Sequence, residues 1–291
     1  MKYYVLYNPL AGHGSAESDI AILSEKLNGE IIKCDVTKIE NYKSFIADKT
    51  EDDTIVICGG DGTINRFVNG TDGLDSPGDV MYFPAGTGND FLTDLGIKRE
   101  DCPISIKKYL QNLPTVAVQG KTYKFINNMG FGIDGYCCEM GDKQKAKSTK
   151  PVNYTAIAIK GLLFNFKSAK ATVIVDGVEH KFKNVWIAPT MKGRYYGGGM
   201  IAAPQQDRLD PEGKVSVMVF HGRSRLMTLI AFPSIFEGKH VEKKNRVSIF
   251  TGKNVTVKFD GPRPAQVDGE TLLGVTEYTV TAGVPAKIAT K

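Results

Sequence analysis

Short β-branched and aromatic runs alternate with helix-length amphipathic stretches over the first 113 residues, the pattern of a mostly parallel sheet covered by helices. Strands are predicted at 3–7, 30–34, 54–58 and 79–83, and helices at about 15–28, 39–49 and 63–70, where apolar residues such as Ile20, Leu23 and Leu27 recur at helical spacing. This half reads as a doubly wound α/β domain. After Leu113 and Pro114 the texture changes to paired strands and glycine turns: 115–119 with 122–128, and 171–175 with 178–187 across Asp176 and Gly177. Strands are also expected at 214–220, 247–250, 255–259, 264–268 and 277–282, with helical interruptions at about 151–165 and 224–237. The second half is therefore predicted to be an antiparallel, β-rich sandwich or barrel-like sheet. The expected organisation is one domain over 1–113 and another over 114–291, with the last few residues free to return to the first.

Composition narrows the class. The chain has 291 residues, 42% hydrophobic and 24% charged, the proportions of an ordinary globular protein. A net charge of +5 is too mild for a nucleic-acid binder and suits, weakly, a surface that meets anionic lipid. Five cysteines without CxxC spacing support neither a disulfide framework nor a zinc site. The sequence opens on a strand-like run rather than a signal peptide, and Val152 to Phe166, interrupted by Lys160, is too short to span a bilayer. A cytoplasmic protein, peripheral at the membrane, is expected.

Three Gly-rich loops follow predicted strands of the first half, which gathers them at the carboxyl edge of one parallel sheet. They are Asn8 to Ser15, Gly59 to Asn65 and Pro84 to Asp90. Glycines let backbone N–H groups approach phosphate oxygens, and helix N-termini add favourable partial charge, so a polyphosphate is the ligand this chemistry fits. Thr63 and Thr87 can donate hydroxyl hydrogen bonds. A carboxylate at Asp61 amid such loops argues for a metal nucleotide, against the plainer role of fixing a turn or capping a helix. No Walker-type GxxxxGK[ST] is present, and Gly130 to Gly135, although it matches GxGxxG, lacks the acidic residue about 20 positions on that a dinucleotide site requires.

The ordered motifs NPLAGHG, GGDGTIN, PAGTGNDF, INNMGFGIDG, GGGM and QVDGE resemble the diacylglycerol kinase catalytic family, which includes bacterial soluble lipid kinases and sphingosine kinases. GGDGT alone is shared with NAD kinases and 6-phosphofructokinases; PAGTGNDF and the late DGE separate the family from them. The resemblance spans nearly the whole chain and implies an N-terminal ATP domain and a C-terminal lipid-recognition domain. It carries nucleotide contacts onto Asn8, Pro9, Leu10, Ala11, Gly12, Thr37, Gly60, Asp61, Gly62, Thr63, Ile64, Asn65, Arg66 and Thr87. It makes Glu270 the general base, with Asp61 as its catalytic companion, and places a structural Mg²⁺ at Leu209, Glu212 and Lys214, where Glu212 stands for the usual aspartate. Arg66 stands where most bacterial members are acidic. The implied partners are ATP, Mg²⁺ and a lipid at the membrane surface, and a homodimer is compatible with them. Diacylglycerol is the leading substrate; the alternatives are a sphingoid base, an undecaprenol-like alcohol, phosphatidylglycerol, or a catalytically weak nucleotide-binding regulator.

Other features have bland readings. His13, His180, His221 and His240 are scattered without metal-ligand spacing and receive no chemistry. Lys143 to Lys150 reads as a solvated loop. Phe164, Phe166, Leu226, Leu229, Ile230, Phe232 and Phe236 are core or the lining of an acyl-chain groove. Gly197 to Gly199 is a flexible turn or a close approach to substrate, and Asp176-Gly177, Asp260-Gly261 and Asp268-Gly269 read as hairpin turns.

Overall fold

The run Asp53–Gly59 is buried along its whole length, which only a strand covered on both faces can achieve. It is the middle of the first sheet. The computed structural model describes residues 1–9, 16–71, 76–85, 88–148 and 152–283, and the chain divides into two compact units, Met1–Gln111 and Asn112–Lys291.

In the first unit the elements run β1 (Lys2–Tyr7), α1 (Ala16–Lys26), β2 (Glu30–Asp35), α2 (Tyr42–Ala47), β3 (Asp53–Gly59), α3 (Asp61–Gly70), β4 (Val80–Pro84), α4 (Asp90–Leu95), β5 (Ile104–Ser105) and α5 (Lys107–Leu110). The sheet order is β2-β1-β3-β4-β5, parallel except for the short antiparallel edge β5. After β1 the chain moves to one side of the sheet, and after β3 to the other. The carboxyl ends of β1 and β3 therefore flank the topological switch point, where ligands of such sheets bind. Asn8 and Gly60 leave the sheet there.

The second unit contains β6 (Thr115–Val118), β7 (Lys121–Lys124), β8 (Asn128–Phe131), α6 (Ile133–Lys145), α7 (Tyr154–Lys160), β9 (Ala169–Val175), β10 (Val178–Ile187), β11 (Thr190–Met191), β12 (Tyr195–Tyr196), β13 (Met200–Ile201), β14 (Val215–His221), α8 (Arg225–Ala231), β15 (Val247–Gly252), β16 (Asn254–Val267) and β17 (Glu270–Thr281). Its sheet is antiparallel, as the turn-rich texture predicts. The long β16 pairs with β9 through Val255–Phe259 and with β8 through Ala265–Val267, so it bends from one layer to the other. Valines and aromatic rings of both layers fill the core between them, with Phe131 stacked on Phe259 at 3.9 Å.

Several details differ from expectation. Asp260 and Gly261 do not turn: they lie inside β16, where the register with β17 shifts between Lys258 and Arg263, a bulge that supplies the bend. Segment 122–128 divides into β7 and the start of β8. Lys143 and Lys145 belong to α6 rather than to a loop, and residues 149–150 of that run lie outside the described residues. His240 is fully buried, its Nε2 3.0 Å from the Ala202 carbonyl, and serves packing. All five cysteines are free.

Candidate active site

In the first unit, the second glycine loop turns sharply from β3 into α3. Gly60 is the extended residue before the helix, and a Cβ built on it would stand 2.8 Å from the Gly88 carbonyl oxygen. Glycine is required for this close approach of two ligand-edge loops. Thr63 sits one turn in, its N–H donating to the Gly60 carbonyl at 2.9 Å. The Asp61 carboxylate accepts the Asp90 N–H at 2.8 Å and the Phe91 N–H at 3.3 Å, so it caps the first turn of α4. The helix-capping role is the one its geometry displays. Ile64 is fully buried, its side chain part of the core. Asn65 is also buried, and the Asn69 amide donates to its carbonyl at 3.0 Å. Arg66 is exposed on α3 and hydrogen-bonds Tyr42 of α2, whose phenol burial pushes above its ordinary pKa. At the end of β2, Thr37 donates its N–H and its hydroxyl to Asp35, at 2.9 and 2.7 Å, and these bonds hold that carboxyl below the usual range. Asn8 and Pro9 stand at the end of β1, and Gly62 is exposed on the first turn of α3. Leu10, Ala11, Gly12, Gly86 and Thr87 lie outside the described residues.

The second unit builds a platform under Glu270. Asp268 and Gly269 both adopt positive φ, 45° and 93°, the tight turn that Asn-Gly and Asp-Gly pairs favour between antiparallel strands. The Asp268 carboxylate does more than turn the chain. It accepts the backbone N–H groups of Ile126, Asn127 and Asn128 at 2.7, 2.8 and 2.9 Å. The same short segment is gripped from its other side: Arg208 donates to the Ile126 carbonyl and, at 2.9 Å, to the Asn127 side chain, while the Lys192 N–H donates to the Asn127 carbonyl at 2.8 Å. Gly269 donates its N–H to Gln266 Oε1 at 2.7 Å, and the Gln266 amide faces Asp134 at 3.4 Å. Thr271 donates its hydroxyl to Asp142 of α6 at 2.6 Å. Glu270, paired in register with Val267, projects its carboxylate into solvent from between these fixed neighbours.

Burial without a cationic partner pushes the Asp134 carboxyl up to about 6. Lys192 is 2% exposed, and burial, with Arg208 nearby, lowers its pKa. Sequence reasoning missed Asp134, Lys192, Arg208 and Gln266, and took Asp268 only as a turn residue. The signal was present: INN and QVDGE are the two segments that the Asp268 carboxylate joins.

The stretch expected to hold Mg²⁺ is arranged differently. Glu212 pairs with Lys214 at 2.6 Å and Lys253 at 2.9 Å, and these two ammonium groups hold its carboxyl down at about 2. The Lys214 carbonyl accepts from Gln206 at 2.9 Å, and Asp207 and Asp210 cap backbone N–H groups of the turn, including that of Leu209. A cation held at Leu209, Glu212 and Lys214 would have to displace these two ion pairs. Among the described residues no cluster of three or more His, Cys, Asp or Glu side chains could hold a metal ion.

Comparison with known proteins settles the family. Residues 2–119 match the diacylglycerol kinase catalytic domain, and residues 127–288 match the YegS C-terminal NAD kinase beta sandwich-like domain. The chain belongs to the diacylglycerol kinase-like family of lipid kinases. Relatives of this family that it resembles include proteins named diacylglycerol kinase from Mycobacterium tuberculosis (strain CDC 1551 / Oshkosh), 27% identical over 89% of this chain and 86% of the relative, and from Bacillus subtilis (strain 168), 24% identical over 91% of each. The crystal structure of a diacylglycerol kinase from Bacillus anthracis str. Sterne matches 97% of this chain and 94% of its own, with a TM-score of 0.63 at 18% identity, a likeness of fold. Within the family frame, the matched boundaries separate the glycine loops from the Glu270 platform.

Proposed function

We propose that this lipid kinase transfers the γ-phosphoryl group of ATP, presented with Mg²⁺, to a lipid hydroxyl, and that diacylglycerol becoming phosphatidic acid is its reaction. The observation that carries this reading is an exposed carboxylate, Glu270, mounted on a turn fixed by bonds to both neighbouring residues. An alcohol is a weak nucleophile near neutral pH, and phosphoryl transfer asks the protein chiefly to position reactants and to accept one proton. In the proposed step the lipid oxygen bonds to the γ-phosphorus, the bond to the β,γ-bridging oxygen breaks, ADP leaves, and the hydroxyl proton passes to Glu270. The N-terminal loops bind the polyphosphate: Asn8, Gly60, Gly62 and Thr63 offer backbone or side-chain donors beside the switch point. Asp61 keeps the α4 loop in place rather than acting on the substrate, and no step runs through Leu209, Glu212 and Lys214.

Radiolabelled ATP incubated with diacylglycerol, a sphingoid base, an undecaprenol-like alcohol and phosphatidylglycerol tests the reading. Label is expected in phosphatidic acid. Label in a different lipid would move the substrate within the family, and label in none would favour a nucleotide-binding regulator.

A further inference from the structure

The helix α8 is inside out. Its inward side carries Thr228, fully buried with its hydroxyl donating to the Ser224 carbonyl at 2.9 Å, and the small Ala231. Its outward side carries Leu226 and Ile230, one turn apart and 62% and 63% exposed, with Met227 beside them. An ordinary surface helix buries its large apolar residues and exposes its polar ones. The neighbouring segment Gly161–Asn165, a π-helical turn, exposes Phe164 by 73% while burying Leu162. Arg225 ties the two together by donating to the Leu162 carbonyl at 3.1 Å. Phe166 alone of the aromatic residues expected in this region is truly core, whereas Leu229 and Phe232 are half-buried against it. The remainder, Phe164, Leu226, Ile230 and Phe236, are exposed and belong to neither core cluster. Exposed apolar groups of this kind on soluble chains mark interaction sites.

Charge around the face identifies the partner. Residues 143–175 contain no aspartate or glutamate, and neither do residues 213–236. Exposed Lys160, Lys167 and Arg223 flank the apolar residues instead. The carboxylate next in sequence, Glu237, is paired with Lys239 at 2.7 Å. Large apolar side chains with cations, and no carboxylates, beside them in their own segments suit the boundary between anionic headgroups and acyl chains, where an amphipathic element sinks about 5–10 Å. A second protein copy would bring the same cations against themselves. We infer that Phe164, Leu226 and Ile230 insert into an anionic lipid bilayer and dock the second unit on it. A membrane-borne substrate, as proposed above, gives such a face its use, yet docking needs no phosphoryl transfer and is measured without nucleotide.

The test is co-sedimentation of the full chain with phosphatidylcholine vesicles, with and without phosphatidylglycerol. Wild-type protein should bind the anionic vesicles and bind less as salt rises. The triple variant Phe164→Gln, Leu226→Gln, Ile230→Gln should lose about tenfold or more in vesicle affinity with an unchanged melting temperature. The pair Lys160→Gln, Arg223→Gln should weaken binding to anionic vesicles alone, by about fivefold per charge. Wild-type affinity in the triple variant would overturn the inference, as would a failure of the wild-type chain to bind vesicles. A wild-type dimer that the triple variant splits, seen by light scattering, would also overturn it by assigning the face to a second copy. Loss of kinase activity with vesicle binding intact would leave docking standing and count against the catalytic reading only.

Discussion

Asp61 and Asp268 each belong to an Asp-Gly pair, one in each unit, and they look alike in sequence while only Asp61 suggests chemistry. In the structure both carboxylates are construction members. Asp61 takes two N–H groups at the start of α4, and Asp268 takes three from residues 126–128. The difference lies in what each one holds up. Asp61 fixes a neighbouring loop against Gly60, whereas Asp268 fixes the turn whose next side chain but one is the exposed Glu270. A carboxylate saturated by backbone donors positions; the one left facing solvent beside it is the one available to take a proton.

That contrast can be broken at several points. The largest stability effect is expected from Asp268→Ala, which strands three N–H groups in a buried segment and should cost about 4 kcal/mol or more, read by urea unfolding. Asp268→Asn keeps part of the acceptor set and should cost less. Equal stability of both variants and wild type would mean that the platform is held elsewhere.

Asp134 supplies the next effect. Its carboxyl, raised to about 6 in the folded chain, holds its proton more tightly than an unfolded aspartate does. The stability this gives is complete below the unfolded pKa and is lost as pH rises through about 6. At pH 7.5 the buried anion should cost about 2 kcal/mol relative to pH 4. Asp134→Asn should abolish this pH-dependent part, leaving a constant offset because its amide would face that of Gln266. Unfolding curves of wild type and variant that keep the same separation from pH 4 to 7.5 would contradict it. Asp61→Ala should have the smallest effect, about 1–2 kcal/mol for a lost helix cap, measured by thermal melting. A loss as large as that of Asp268→Ala would erase the difference between the two sites.

Much of this arrangement was legible in the sequence, and the exceptions have physical causes. The parallel strands announced themselves because β3 is buried on both faces and so reads as an unbroken apolar run. Helix α6 did not, because its glycines serve close packing: a Cβ on Gly135 would collide with the Pro264 carbonyl, and Gly141 lies against the Tyr154 ring. Residues chosen for contact hide the helical pattern. Asp260 and Gly261, with Pro262 and Pro264 after them, look like a turn but make a bulge in a strand shared by two layers. Glu270 was singled out through its motif, whereas the cradle of Asp268, Arg208 and Lys192 joins residues far apart in sequence and shows only once the chain is folded. The apolar residues of α8 were visible too, but periodicity cannot say which side of a seven-residue helix faces inward.

The central claim is that Glu270 accepts the proton of the lipid hydroxyl. Glu270→Gln keeps the shape of the side chain and removes the base. Turnover with radiolabelled ATP and the lipid that wild-type protein labels should fall by about 10²-fold or more, while ATP binding by calorimetry and the melting temperature stay at wild-type values. A variant that keeps most of its turnover would contradict the account and send the search for the base to another carboxylate.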